Sequence, residues 1–475
     1  MGTAGIKKNR DFTQGALLPR IILFALPLMA TGILQMLFNT ADTIVVGRWG
    51  GETKIECENA LAAVGSCGSL NALIINFFMG LAVGVGVCVA HDVGAKDYNG
   101  VQKTVHTAVI TSAICGVLLC LAGMFLSRPL LTLMGTDEQV LDQAVSYMRA
   151  FFLGTPASMV YNYCAAALRS KGDTTRPLIF LSIAGVVNVG LNLVMVLVFH
   201  LGAVGVGLAT AAANWISASL ILWYMTNRED LCRIEWKQLR IYPEKLKKMF
   251  YIGFPASIQG MAFSFSNVVI QSSVNSLGKA VVAANTAAGN VSDYLYVAQN
   301  SVYNAAITFV GQNVGAKKYE RIKSCVLNCV VVVTAIGLIG GILELVFGEF
   351  LLGLYSPGNE EVIRIGMTRL RYLALTYFLC GVMEVGSGTL RGLGKSVVSM
   401  AISLTGTCLF RVVWVATAFA HFQTIEVLYL SYPISWALSA IANYTLVFVL
   451  VRRLKRKSAK DLMELPIEEK KEASV

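Results

Sequence analysis

The phrase Val93-Gly94-Ala95-Lys96 returns 221 residues later in the chain as Val314-Gly315-Ala316-Lys317. A second phrase returns at nearly the same distance, because Leu168-Arg169-Ser170-Lys171-Gly172 is echoed 222 residues later by Leu390-Arg391-Gly392-Leu393-Gly394. Each phrase lies at an end of a long apolar segment or just inside one. The chain therefore consists of two copies of one hydrophobic unit. Internal repeats of this kind are typical of membrane bundles that build a site between two halves.

Composition places the chain in a membrane. Of its 475 residues, 55% are hydrophobic and only 14% are charged, whereas soluble domains carry about 25% charged residues. A run of about 20 apolar residues suffices to cross a bilayer, and such runs follow one another almost without interruption. The sequence predicts an all-α polytopic membrane protein.

Twelve apolar segments are expected to cross the membrane, six in each copy. They lie near 17–47, 59–90, 103–126, 140–168, 174–199, 202–226, 246–275, 281–312, 323–347, 361–390, 396–420 and 426–451. The predicted organisation is an N-lobe of six transmembrane helices over 1–228, a basic cytoplasmic linker over 229–245, a C-lobe of six transmembrane helices over 246–453 and a charged cytoplasmic tail over 454–475.

Basic residues set the expected orientation. Lys and Arg crowd the N-terminus, alternate loops, the linker and the C-terminus, and such residues stay on the cytoplasmic side. Both termini are therefore predicted to be cytoplasmic. The net charge of +11 has the same origin, because cations that border membrane spans meet anionic lipid headgroups. This reading excludes nucleic acid as a partner and makes membrane lipids one.

The first span carries a polar stripe. Gln35, Asn39 and Asp42 follow one another at helical spacing, which places them on one face. Pro27 and its counterpart Pro255, 228 residues later, each remove a backbone hydrogen bond and are predicted hinges. A buried carboxylate on a kinked helix suits a switch driven by H⁺ or another cation. The alternative is that Asp42 is a solvated residue near the end of its span.

Spans five and six carry polar pairs at one-turn spacing. These are Asn188 with Asn192, and Thr210 with Asn214. Their oxygens are hard ligands that suit Na⁺, and they can also hold a protonated carboxyl group. The alternative is that these side chains only hydrogen-bond one helix to another.

The second copy carries a different set of polar and charged residues within its spans. Its candidate cavity residues are Gln259, Asp293, Glu384 and Arg411. At ~1.5 Å per residue, Arg411 lies about 24 Å from the cytoplasmic side and Asp293 about 18 Å from the outer side. These depths predict an ion pair between the two in at least one conformational state. A structural pair and a substrate-facing pair are equally compatible with the pattern.

Taken together, these features resemble the multidrug and toxic compound extrusion (MATE) family, and the resemblance covers about 10–453. The motifs that carry it are Pro27, Asn39-Thr40-Ala41-Asp42-Thr43, Gly47, the paired Val-Gly-Ala-Lys phrases, Leu168-Arg169 with Gly172-Asp173, and Leu390-Arg391-Gly392-Leu393-Gly394. The resemblance implies two six-helix lobes around a central cavity, and export of amphiphilic compounds by alternating access in antiport with H⁺ or Na⁺.

The resemblance also implies site residues. Archaeal and DinF-like members bind the coupling cation with side chains on helices one, five and six, which look like Asp42, Asn188, Asn192 and Thr210 here. The departure is Asn192, where those relatives have a second acid, so the site holds one carboxylate. The helix-seven Glu of NorM-like members is missing. The chain is therefore identified as a bacterial member closer to the DinF-like branch, with H⁺ or Na⁺ at this site.

Competing functions are weighed against the same residues. A flippase for lipid-linked precursors would need a strongly cationic cavity, and Arg411 is the one unmistakably intramembrane cation. An enzyme would need nucleophile–base or metal-ligand groups, which neither His nor Cys supplies. A channel fits a two-lobe repeat less well than alternating access does. The prediction is thus a monomeric efflux transporter of the cell membrane that needs no cofactor beyond its coupling ion.

Overall fold

The computed structural model describes residues 11–464, and within them it describes no side chain at 69 or over 459–464. The predicted cytoplasmic N-terminal residues 1–10 and the end of the tail over 465–475 lie outside the described residues. The α-helices are α1 Leu18–Trp49, α2 Lys54–Gly94, α3 Tyr98–Leu133, α4 Glu138–Phe152, α5 Thr155–Ser170, α6 Thr175–Leu193, α7 Gly202–Asn227, α8 Pro243–Asn275, α9 Lys279–Gly315, α10 Tyr319–Tyr355, α11 Glu360–Leu373, α12 Tyr377–Gly392, α13 Ser396–Ser403, α14 Phe410–Trp414, α15 Ala420–Phe422 and α16 Ile425–Glu464. Three π-helical segments, Val194–Val198, Leu404–Leu409 and Val415–Phe419, and two 3₁₀ turns, Trp236–Gln238 and Ala374–Thr376, complete them. No strand occurs between 11 and 464, so the all-α fold class is confirmed.

Nine helical segments within 11–464 are long and apolar enough to cross a membrane. Large apolar side chains on their outer faces are exposed, including Phe125 at 77% and Phe350 at 66%. An apolar exterior of this extent suits lipid rather than water. The remaining predicted spans correspond to α8, to α9 and to the broken pair α4 and α5.

The fourth and tenth spans are both broken near the middle. Helix α4 ends at Phe152 and α5 begins at Thr155, while α11 ends at Leu373 and α12 begins at Tyr377 after a 3₁₀ turn. The two breaks lie at corresponding positions of the repeat. In each of these spans the first and shorter helix begins with a side-chain cap. Asp137 accepts from the backbone N–H of Gln139, and Asn359 accepts from that of Val362.

The repeated phrases adopt the same turns. Lys96 and Lys317 both take the left-handed conformation, with φ of 57° and 56°, and their N–H groups donate to the carbonyls three residues earlier at 3.1 and 3.0 Å. Gly172 and Gly394 also have positive φ, of 99° and 73°. A left-handed residue just past a helix end satisfies its last carbonyls. The two copies therefore end their helices by the same device.

The chain folds into two compact units whose boundaries differ from those of the sequence repeat. One compact unit takes 11–23, Ala90–Lys96 and 265–464, and the other takes Phe24–Val89 and Asp97–Ser264. The first part of α8 thus belongs with the helices of the N-terminal copy. A side chain at Gly84 of α2 would collide with the backbone carbonyl of Met249 on α8, so glycine permits this close packing. The lobe boundaries at 228 and 246 stay a prediction about the repeat.

Candidate functional site

Asp42 accepts hydrogen bonds from two helices of its own compact unit. Its Oδ1 accepts from Asn192 Nδ2 on α6. Its Oδ2 lies 3.5 Å from Thr210 Oγ1 on α7, and the single hydroxyl proton of Thr210 is shared between this oxygen and the Val206 carbonyl at 3.0 Å. Asp42 lies seven residues before Trp49, the end of α1, which is about 10 Å along the helix. No Lys or Arg of the described chain forms an ion pair with it. Hydrogen bonds alone hold this carboxylate.

The two asparagines of α6 are enclosed. Asn188 is 5% exposed and Asn192 is fully buried. Asn192 Nδ2 also approaches Asn188 Oδ1 at 3.4 Å, and Asn188 Nδ2 donates to Thr210 Oγ1 at 3.5 Å. The structure therefore brings together the four residues that the resemblance assigned to the coupling cation, in one network on three helices.

One atom of this network has no partner. Asn192 Oδ1 is buried and accepts no hydrogen bond from the part of the chain that the structure describes, and an unsatisfied buried acceptor costs about 1–3 kcal/mol. A proton or cation near Asp42 would give this oxygen a partner once the amide turned. The donor set consists of carboxylate, amide and hydroxyl oxygens, which fit H⁺ or Na⁺. Among residues 11–464 no cluster of His, Cys, Asp and Glu suits a transition metal.

The other polar residues of α1 are accessible. Gln35 and Asn39 are exposed, on the same stripe as Asp42. In α8, Gln259 is 3% exposed and Pro255 is buried in mid-helix. Pro27 likewise lies inside α1. The cavity and hinge roles of these residues stay predictions, because no bound substrate or second conformation tests them.

Arg411 of the second copy contacts aromatic rings. It is 4% exposed, and its Nε donates to Ser435 Oγ at 3.1 Å. Its guanidinium carbon lies 4.3 Å from the ring centroid of Tyr432 and 5.9 Å from that of Trp436. Asp293 is exposed and interacts electrostatically with Arg369. The structure does not bring Arg411 and Asp293 together, and their pairing stays a prediction for another state.

Comparison with known proteins decides the family. The model of the MatE family matches residues 27–194 and 255–417, which include the site on α1 and α6. The chain belongs to the MatE family. It is 27% identical to the probable multidrug resistance protein YoeA of Bacillus subtilis, over 89% of this chain and 91% of that protein. It is also 27% identical to the multidrug resistance protein NorM of Vibrio cholerae, over 78% of this chain and 81% of the relative.

A solved structure shares the MatE fold. It is the outward-facing conformation of a multidrug resistance MATE family transporter of the MOP superfamily, with a TM-score of 0.87 at 22% identity. The match covers 95% of this chain and all of the other. Membership confirms the predicted family, a multi-pass membrane transporter rather than an enzyme, and transport without a cofactor. The preference for the DinF-like branch stays a prediction.

Sequence reasoning missed one buried acid of this MatE protein. Glu344 on α10 is 6% exposed and accepts from Ser292 Oγ at 3.4 Å, while its Oε1 has no partner. Arg369 interacts with it electrostatically. A single acid within the apolar run Gly341–Phe347 was the available signal. Glu344 lies three residues before the expected end of the ninth span at 347. Glu384, a predicted cavity residue, is buried and interacts electrostatically with Arg391, and its role stays a prediction.

Proposed function

We propose that this MatE protein exports amphiphilic drugs by alternating access, in exchange for a cation taken up at Asp42. The observation that carries the proposal is the Asp42 carboxylate, which lies within a membrane-spanning helix, accepts hydrogen bonds from Asn192 and Thr210 and forms no ion pair with a basic residue of 11–464. An ionised group at such depth costs about 3 kcal/mol or more unless it is compensated. Neutralising it by a cation changes which packing is favoured.

The single carboxylate of the site favours H⁺ over Na⁺ as the coupling ion, because it offers one negative charge and one protonatable group. The Asn192 amide, whose nitrogen faces Asp42, would have to turn for either ion. When Asp42 takes up a proton, one of its oxygens becomes a donor. The unpartnered Asn192 Oδ1 can accept this new hydrogen bond once the amide turns.

Pro27 links this site to movement. It lies four residues beyond Leu23, where α1 passes from one compact unit to the other. Proline removes a backbone hydrogen bond and permits bending. We infer that loss of the Asp42 charge rearranges the hydrogen bonds that α1 makes with α6 and α7, and that the helix then bends near Pro27. Pro255 is the proposed hinge of α8.

Drugs are the proposed substrates because relatives over most of the chain are multidrug resistance proteins. A lipid-linked precursor flippase is the alternative, and the buried cation Arg411 is the feature it would use. The proposal includes a monomer in the cell membrane, with both termini cytoplasmic and basic loops on anionic headgroups.

Everted membrane vesicles test the function. An acidic lumen and a Na⁺ gradient are imposed separately, and uptake of the cationic dye rhodamine 6G is followed. We expect uptake with the acidic lumen and none with Na⁺ alone. Asp42→Asn should insert in the membrane but lose driven uptake. The matched control is Asp142→Asn, which removes only an exposed partner of Arg128.

Two results would contradict the proposal. Full uptake by Asp42→Asn under the acidic lumen would remove Asp42 from coupling. Uptake driven by Na⁺ alone would show that Na⁺, not H⁺, is the coupling ion.

A further inference from the structure

Arg411 is a buried cation without an acid. Its Nε donates to Ser435 Oγ, no described Asp or Glu forms an ion pair with it, and its terminal amino groups donate no hydrogen bond within 11–464. Enclosing a charge costs several kcal/mol. A cation–π contact returns about 2 kcal/mol when desolvated. Arg411 thus keeps a positive charge that its surroundings do not neutralise.

Aromatic rings form a wall beside this charge. Tyr432 and Trp436 stand one turn apart on α16, with ring centroids 5.7 Å apart. Tyr377, at the start of α12, meets Trp436 edge-on at 5.3 Å. A flat aromatic molecule can stack or pack edge-on against such rings. The cluster therefore combines an apolar aromatic surface with one fixed positive charge.

The backbone around Arg411 is unusual. Two π-helical segments, Leu404–Leu409 and Val415–Phe419, flank the five-residue helix α14 that carries it. The second has a counterpart in the first copy, Val194–Val198, whereas the positions corresponding to the first are α-helical there. Such π segments are frequent at functional sites. The irregularity specific to the second copy therefore lies immediately before Arg411.

In the sequence repeat, this cluster corresponds to the residues that surround Asp42 in the first copy. The 222-residue offset puts Arg411 at the position of Val189, between Asn188 and Asn192. The same offset puts Tyr432 at the position of Thr210. Where the first copy surrounds a carboxylate with amides and a hydroxyl, the second surrounds a guanidinium with rings. The two copies thus carry charges of opposite sign, and they carry them at different positions of the repeat.

We propose that Arg411, Tyr432 and Trp436 form a binding subsite for aromatic amphiphiles that bear a carboxylate or a phosphate. The guanidinium binds the anionic group through its terminal amino groups, since its planar fork matches carboxylate and phosphate. The rings hold the aromatic part of the ligand. The inference rests on the proposed export function and names a class of substrate for it.

Binding to the purified full-length transporter in nanodiscs tests the subsite. The probes are carboxyfluorescein for a carboxylate, 1-naphthyl phosphate for a phosphate, and rhodamine 6G as a cation on a scaffold like that of carboxyfluorescein. We expect Arg411→Gln to weaken binding of at least one anionic probe by about tenfold or more. Binding of rhodamine 6G should stay within about twofold. Arg411→Lys should lie between the two, because it keeps the charge but loses the fork.

The matched control is Arg452→Gln, which removes a guanidinium 4.4 Å from the ring centroid of Phe448, near the cytoplasmic end of α16. It should leave all three affinities unchanged. If Arg411→Gln does not fold, two other variants replace it. They are Arg411→Lys and Ser435→Ala, and the second removes the acceptor of the Arg411 Nε–H. Unchanged affinity for both anionic probes in the variants would overturn the subsite.

The subsite and the export function fail in different ways. If the wild type takes up rhodamine 6G with an acidic lumen but binds neither anion, the subsite is wrong and the export function stands. If Arg411-dependent binding of an anion is found but no probe is driven into vesicles, the export function is wrong and the subsite stands.

Discussion

The Asp42 site and the Arg411 cluster are the two polar interiors of one repeated unit, and they have opposite charge. In the first copy Asp42 receives hydrogen bonds from Asn192 and Thr210. In the second, the counterpart of Asp42 at the 228-residue offset is Ile270, which is buried among apolar residues such as Phe419. The charge of that copy sits on Arg411 instead. Duplication has preserved the frame and allowed the interior to diverge.

The preserved parts are those that the backbone needs. The left-handed turns at Lys96 and Lys317, the caps at Asp137 and Asn359 and the two broken spans recur at matching positions. These features satisfy backbone groups at helix ends, which every helix must do. Interior side chains are free of that demand, so each copy could acquire its own chemistry.

The largest effects are expected when the charged residue of each copy is removed in turn. Asp42→Asn should reduce proton-driven uptake of rhodamine 6G by roughly 5–150-fold, the usual range of a coupling energy, while binding of carboxyfluorescein persists. Arg411→Gln should weaken binding of carboxyfluorescein and leave proton-driven uptake of rhodamine 6G in place. Uptake in vesicles and binding in nanodiscs measure both. A loss of both activities in both variants would show that the two sites are one functional unit.

Adding an acid to the first copy should change its ion preference. Asn192→Asp places a second carboxylate against Asp42, and two adjacent carboxylates favour a shared proton or a bound cation. We expect the purified variant to gain about 1–3 kcal/mol of stability from NaCl at concentrations well above its Kd. Thermal unfolding in NaCl against choline chloride measures this gain. The control is Asn328→Asp, which changes a half-buried asparagine that donates to Ser324 O of its own helix α10. Equal unfolding of Asn192→Asp in both salts would contradict the prediction.

Glu344 tests whether the second copy lacks a coupling acid. Its carboxylate is tied to Ser292 and interacts electrostatically with Arg369, which indicates a structural role. Glu344→Gln keeps the shape and the hydrogen bond, so driven uptake should stay within about threefold of the wild type, below the range of a coupling site. Uptake with an acidic lumen checks this. A loss as large as that of Asp42→Asn would break the contrast between the copies.

The smallest effects are expected at the shared turns. Lys96→Gly and Lys317→Gly should each raise the free energy of unfolding by about 0.5–1 kcal/mol. The left-handed conformation costs a residue with a side chain about 1–2 kcal/mol, and the greater conformational entropy of glycine in the unfolded chain offsets part of this gain. Thermal unfolding of the purified protein measures the gain. Lys103→Gly, inside α3, should instead be destabilising. Opposite signs at positions 96 and 317 would show that the turns are not equivalent.

Sequence reasoning located the membrane spans because lipid requires long apolar runs. It found the repeated turns because a left-handed turn favours particular residues. It assembled the Asp42 site only through the family resemblance, since spacing shows which residues share a helix face but not which faces meet. The breaks within spans four and ten were not predicted, because a 3₁₀ turn or a two-residue interruption leaves the apolar pattern intact. Glu344 was missed too, since one acid close to an expected span end leaves the apolar pattern of the span intact.

What the sequence determined by itself was the duplication, the membrane-spanning helices and the residues able to carry charge within them. These follow from local properties: the apolar length that lipid requires and the turn residues that helix ends require. Tertiary structure decided the partners. It gave Asp42 hydrogen bonds from Asn192 and Thr210 and gave Arg411 two aromatic rings, and it left Arg411 and Asp293 apart. Such choices depend on how helices distant in sequence pack, which no local pattern encodes.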